Sequence, residues 1–158
     1  MDPKNSVSTL QVKTLLDSIG SNAISPGAGA AGAIALGLAA ACASKAVRIS
    51  LGHSPENPEL KSALETLQRI ADSAMTEADR DSRAFEAFVH DRDLSSVERL
   101  VCEGEEFGRL IAAFMVAVEG VESRIRPNMV GDVIAAKALA AAAKRIQRRN
   151  ESEALEAP

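Results

Sequence analysis

Apolar residues recur every three to four positions along almost the whole chain, in five stretches separated by short breaks that contain Gly or Pro. Such spacing places apolar side chains on one face of an α-helix. The first stretch predicts a helix from about Ser8 to Ser21, ended by Gly20. No stretch shows the period-two alternation of β-branched and aromatic residues that is typical of strands. The pattern predicts an all-α bundle of about five helices.

The second predicted helix differs from the others because it is built mainly of Ala and Gly. It is expected to run from Pro26 to about Ser50, with Ser25 as N-cap and proline at the first helical position. Each interior Gly disfavours a helix by about 1 kcal/mol relative to Ala. Small residues recur four positions apart, which forms flat faces where another helix can approach closely. We therefore expect this helix and the Ala-rich fifth helix to be central to the bundle.

Capping signals predict the remaining helices. Asn57 followed by proline opens a third helix over 58–90, and a Ser-x-x-Glu capping box opens a fourth over 95–124. The fifth begins at Pro127. The sequence thus predicts a single helical domain over 1–150, followed by an acidic tail over 151–158 that its composition predicts to be disordered.

Composition narrows the function classes. Of the 158 residues, 46% are hydrophobic but only 3% aromatic, so the core must consist of Leu, Ile, Val and Ala; the net charge of −4 argues against a nucleic-acid partner. The apolar run from Ala28 to Ala43 is shorter than the roughly 20 residues of a membrane span, so no membrane partner is expected. Two cysteines without metal-ligand spacing predict buried free thiols, and the N-terminus lacks a secretory pattern. We expect a cytoplasmic protein.

Three segments resemble the cyclodeaminase family, which includes the cyclodeaminase domain of formiminotransferase-cyclodeaminase and related methenyltetrahydrofolate cyclohydrolases. They are LLDSIGSNAISPGAGAAGAIALGLAAACASKAVRISLG at 15–52, EADRDSRAFEAF at 77–88 and NMVGDVIAAKALAAAAKRIQRRN at 128–150. The resemblance implies an all-helical homodimer that binds a reduced folate in a cleft near the dimer interface. It also implies chemistry on the one-carbon unit bridging N5 and N10, with no metal or redox cofactor.

The resemblance also implies site residues. Asp79, Asp81 and Asp132 match acidic positions of the family and would supply the acid and base. The Gly-rich turn after the first helix would bind the folate, with candidates Pro26, Gly27, Ala28 and Gly29. This turn departs from the family's triple glycine and serine, since residues 27–30 read Gly-Ala-Gly-Ala. The cations assigned to the glutamyl tail are Lys45, Arg48 and Lys137.

The aspartates and the glycines also have structural interpretations. The two acidic residues of the third helix lie two apart and do not share a face, so they also fit a solvated charged face. Asp132 fits a carboxylate that stabilises a helix N-terminus, and the glycines fit close packing. The predicted activity is hydrolysis of 5,10-methenyltetrahydrofolate to 10-formyltetrahydrofolate, or the related formimino-folate cyclodeamination. The hydrolysis is preferred because no formiminotransferase domain is attached. The alternative is a non-catalytic helical dimer with a folate-binding, regulatory or assembly role.

Overall fold

Five α-helices account for almost all of the chain in a computed structural model, which describes residues 11–91 and 94–156, with side chains as far as Glu153. Those residues contain no strand, which confirms the predicted all-α class. Two short 3₁₀ turns, Glu122–Arg124 and Pro127–Met129, connect the last two helices. The helices are α1 (Val12–Ile19), α2 (Ala28–Leu51), α3 (Pro58–Asp91), α4 (Leu94–Glu119) and α5 (Val130–Glu156).

The helix α2 is central: it packs along α3 on one side and α5 on the other, and α4 closes the bundle by packing against both of these. Its glycines permit this approach. A Cβ at Gly32 would lie 3.1 Å from Cγ2 of Ile146 in α5, and a Cβ at Gly37 would lie 2.6 Å from Cε of Met75 in α3. The helix tolerates its glycines because close packing against two neighbours offsets their weak helix propensity.

Burial also explains the hydropathy of α2. Within the described ranges it is the one helix that is long and apolar enough, at 24 residues, to cross a membrane by length and composition. The expectation that the apolar run is too short was therefore wrong. However, 61% of its most apolar window is buried inside the bundle, and Leu36 is completely buried. The α2 helix is packed as the core helix of a bundle.

The helix starts agree with the local capping signals only in part. The α4 helix begins at Leu94, so Ser95 lies inside it, and α5 begins at Val130, after a 3₁₀ turn that starts at Pro127. The Asn57 cap is confirmed, since its Oδ1 accepts a 2.9 Å hydrogen bond from the Leu60 N–H. Ser25 is not a cap: α2 begins at Ala28 after Gly27, which supplies no side-chain hydrogen bond. The peptide bond between Ser25 and Pro26 is cis. The N-terminus of α2 therefore needs another partner for its backbone N–H groups.

Three further expectations differ from the structure. The α4 helix ends at Glu119, before Gly120, rather than near residue 124. The α5 helix continues through 151–156, for which a disordered tail was predicted; pairs four residues apart, such as Arg149 with Glu153 at 2.8 Å, favour its continuation. Both cysteines are free, but Cys42 is only partly buried and Cys102 is exposed. None of the residues of α1 is buried. The predicted first helix began at about Ser8, and its residues before 11 lie outside the described residues.

Candidate functional site

A cavity of about 320 Å³ lies at the N-terminus of α2, where α3, α4 and the last turns of α5 converge on it. One part of its wall is apolar and includes three of the four phenylalanines of the chain. Such a surface can hold a planar ring system, because aromatic side chains pack against flat apolar groups. The apolar lining consists of Phe85 and Phe88 of α3, Leu100 and Phe107 of α4, and Ile146 of α5.

The polar part of the wall is acidic. Five carboxylates contribute to it, and among the described residues that line the cavity none is lysine, arginine or histidine. A cavity of this charge attracts a cationic group, is indifferent to the charge of a neutral one and repels an anionic one. No three His, Cys, Asp or Glu side chains in the described part of the chain are arranged to hold a metal ion. The carboxylates are Glu77, Asp81, Glu103, Glu151 and Glu153.

Asp81 connects the cavity to the first turn of α2. Its carboxylate accepts a hydrogen bond from the Ala30 N–H, one of the donors that a helix start leaves without an intrahelical acceptor. Asp81 therefore caps α2 from α3, replacing the cap that Ser25 does not supply. This contact requires glycine at the position before Ala30, since a Cβ on Gly29 would lie 1.9 Å from Oδ1 of Asp81.

The pKa of Asp81 is raised from 3.8 to about 6. Burial is the main cause, because it disfavours the charged carboxylate, and the negative charge of Glu77 adds to it. The hydrogen bond from Ala30 opposes the rise without cancelling it. A carboxyl group with a pKa near 6 can both accept and donate a proton at neutral pH.

Two neighbouring carboxylates have different partners. Glu77 forms an ion pair with Arg80, in which Oε1 of Glu77 lies 2.9 Å from Nη1 of Arg80. The same Nη1 lies 3.1 Å from Oε2 of Glu106 in α4. Burial nevertheless raises the pKa of Glu77. Burial also raises the pKa of Glu103, as do the charges of Glu77 and Asp81. Within the described structure, Oε2 of Glu103 is buried and has no hydrogen-bond partner, and the same is true of the Ser25 hydroxyl.

The structure brings together only part of the site that the sequence predicted. Asp81 and the turn residues Gly27, Ala28 and Gly29 line the cavity, and Pro26 is buried next to them. Asp79 is partly buried in α3 and is not among the lining residues.

The remaining candidates lie elsewhere. Asp132 forms an ion pair with Lys45, with 3.2 Å between Oδ1 and Nζ. Lys137 forms one with Glu122, with 2.6 Å between Nζ and Oε2. Lys45 and Arg48 border a separate, open depression beside α3. At about 1.5 Å per residue, Lys45 is about 24 Å along α2 from Gly29.

Sequence reasoning missed Glu103 and the role of Ser25 in the cavity wall. Glu103 lies on a helix face whose orientation depends on how α4 packs against α3, so its own neighbours in the sequence carry no signal. Ser25 precedes Pro26, and serine followed by proline is typical of a helix N-cap, so the sequence predicted a capping role for it instead. Phe85 and Phe88 lie three residues apart on α3, a spacing that is also typical of the apolar stripe of a core helix, although Phe85 is 41% exposed.

Comparisons with known proteins agree with the fold and with part of the sequence. The described helices match a crystal structure of formiminotetrahydrofolate cyclodeaminase from Thermotoga maritima with a TM-score of 0.88 and 19% sequence identity. The match covers 95% of this chain and 80% of that one. No curated protein matches the sequence. The sequence profile of the family described as formiminotransferase-cyclodeaminase matches residues 11–99, which include α1, α2, α3 and Asp81. The chain belongs to the formiminotransferase-cyclodeaminase family.

Proposed function

We propose that this protein binds a reduced folate in the cavity at the N-terminus of α2 and hydrolyses 5,10-methenyltetrahydrofolate to 10-formyltetrahydrofolate. The observation that carries the proposal is Asp81, a partly buried carboxylate with a pKa of about 6 on the wall of an acidic, aromatic-lined cavity. Family membership supports a folate ligand, and the Thermotoga maritima protein of the same fold is a formiminotetrahydrofolate cyclodeaminase, which acts on a compound of the same class.

One carboxylate is sufficient for the proton transfers of this reaction. As the oxygen of a water molecule attacks the bridging carbon, Asp81 takes one of its protons. The bond from that carbon to N5 then breaks, and Asp81 returns the proton to N5. The second proton of the water molecule leaves for solvent as the formyl C=O forms. The hydrogen bond from Ala30 holds the carboxylate in one orientation throughout, which favours both transfers.

The glutamyl tail of a folate is anionic and is therefore expected to lie outside the acidic cavity. Lys45, Arg48 and Lys137, which were predicted to meet it, are remote from the cavity of the same chain. A second copy could supply them, and we propose the homodimer that the sequence resemblance implies. The exposed apolar residues Leu38 of α2, at 54%, and Ile134 of α5, at 63%, support this interface. We also propose a cytoplasmic location.

The test mixes purified full-length protein with 5,10-methenyltetrahydrofolate and follows the loss of its near-ultraviolet absorbance against a buffer blank, since the compound also hydrolyses unaided. Formimino-folate is assayed in parallel for release of ammonia. We expect saturable acceleration with the methenyl compound, lost in Asp81→Asn and retained in Asp72→Asn, an exposed carboxylate on the same helix. Activity with formimino-folate alone would assign cyclodeamination instead. Folate binding without either activity would favour the non-catalytic alternative.

A further inference from the structure

Glu103 lines the cavity from α4 and has a carboxylate oxygen that no hydrogen-bond donor of the described structure reaches. Its Oε2 atom is buried without a hydrogen-bond partner in the described structure. The charges of Arg80 and Arg99 each lower the pKa of Glu103, although less than burial raises it. Arg80 donates its hydrogen bonds to Glu77 and Glu106 rather than to Glu103. Asp81, on the facing helix, adds a second negative charge. A buried carboxylate oxygen without a donor is unfavourable, so this arrangement is stabilised by any ligand that brings a positive charge.

The shape of the wall restricts which cation fits. Phe85, Phe88 and Phe107 line the same cavity, so a planar apolar body can pack next to the carboxylates. An amidinium group, in which one positive charge is spread over N–C–N, is planar and matches a carboxylate better than a compact ammonium ion does. A metal ion is a poorer match, since the described acidic residues do not form a metal-ligand set.

We propose that Glu103 is the counter-ion that makes this cavity selective for ligands carrying a cationic amidinium group over neutral ligands of the same shape. The inference rests on the proposed function, because it concerns the same cavity and the same ligand class. Both methenyl-folate and protonated formimino-folate are amidinium cations, whereas the formyl product is neutral. Glu103 therefore favours binding of the substrate over retention of the product.

This role has a kinetic signature that a merely structural role does not share. Attack by water neutralises the amidinium cation, so a counter-ion stabilises the bound substrate more than the transition state. Glu103→Gln should raise KM for the methenyl compound without lowering kcat. Asp81→Asn, in contrast, should lower kcat, because Asp81 exchanges protons with the reacting atoms.

Binding of small probes tests the proposal without any folate. Isothermal titration calorimetry of the full chain compares benzamidinium with benzamide, its neutral isostere. We expect wild-type protein to prefer benzamidinium by about tenfold, the ratio supplied by about 1.4 kcal/mol of charge-assisted interaction. Glu103→Gln should remove most of this preference. Glu105→Gln, which removes the same charge from an exposed position of α4, should leave it unchanged.

Equal affinities of wild-type protein for the two probes would overturn the proposal, as would a preference that persists in Glu103→Gln. Circular dichroism of each variant confirms that its helices are intact. The folate assay separates the two claims. Amidinium selectivity that depends on Glu103, found without folate turnover, refutes the proposed reaction and supports the role of Glu103. Folate turnover with no change of KM in Glu103→Gln refutes that role alone.

Discussion

Replacing Asp81 by Asn should stabilise the folded protein at neutral pH while abolishing its activity. The carboxylate is largely removed from solvent, and its pKa of about 6 in the folded protein exceeds its usual value of 3.8. The folded state therefore binds this proton more tightly than the unfolded state does, so stability decreases as pH rises from about 4 to about 6. Asn resembles the neutral acid and keeps an Oδ1 that can accept the hydrogen bond from Ala30.

The size of the effect follows from the difference between the two pKa values. At about 1.4 kcal/mol for each pH unit, ionised Asp81 lowers the free energy of unfolding by about 3 kcal/mol above pH 6. Below pH 4 the group is protonated in both states and this contribution vanishes. The pKa values of Glu77 and Glu103 are also raised, so these two groups likewise make the free energy of unfolding of the wild-type protein larger at acidic pH than at neutral pH. Comparison with the variant isolates the contribution of Asp81.

Urea unfolding followed by circular dichroism gives the free energy of unfolding of both proteins across this pH range. We expect Asp81→Asn to be more stable than wild type by up to about 3 kcal/mol at pH about 7.5, with the gain disappearing near pH 4. Asp72→Asn controls for the loss of one negative charge from α3. A variant less stable than wild type at neutral pH, or a difference independent of pH, would refute this reasoning.

Three other perturbations test the same structure. Gly29→Ala should displace the Asp81 carboxylate and abolish turnover, measured with methenyl-folate, because the new Cβ would lie 1.9 Å from Oδ1; Gly131→Ala, which meets nothing within 4 Å, should retain activity. In wild-type protein kcat/KM should rise with pH through about 6 and then level off as Asp81 ionises, and a profile flat from pH 5 to 8 would contradict its role as base. Ser50→Ala should lower the free energy of unfolding by about 1–3 kcal/mol in a urea titration. The buried Ser50 hydroxyl accepts a 3.0 Å hydrogen bond from the Arg126 N–H, which would lose its partner.

Local signals were sufficient to predict the number of helices. The apolar periodicity predicted five helices, and Asn57 predicted the start of α3, because a cap depends only on residues within one turn. Resemblance to the family singled out Asp81 and the Gly-rich turn, which the structure brings together. It also grouped Asp132 and Lys45 with them, although Lys45 lies near the C-terminal end of α2 and Asp132 of α5 pairs with it there.

Features that depend on contacts between helices could not be predicted in this way. Ser25 has the sequence of a cap, but α2 begins at Ala28 because Asp81 supplies its capping carboxylate from a different helix. Glu103 enters the cavity only through the packing of α4 against α3. The last turns of α5 were predicted to be disordered from their charge, yet Glu151 lines the cavity, with its Cγ 3.1 Å from where a Cβ of Gly104 would lie.

The hydrogen bond between Asp81 and Ala30 also determines how long the site persists. Its donor is the amide of Ala30, a completely buried residue of α2, so we expect this amide to exchange with solvent through unfolding of the bundle. Local fluctuations of α1, which buries none of its residues, leave this contact in place. A ligand held at Asp81 should consequently slow hydrogen exchange of the entire core rather than of one segment. The lifetime of the assembled site is thus the lifetime of the folded state.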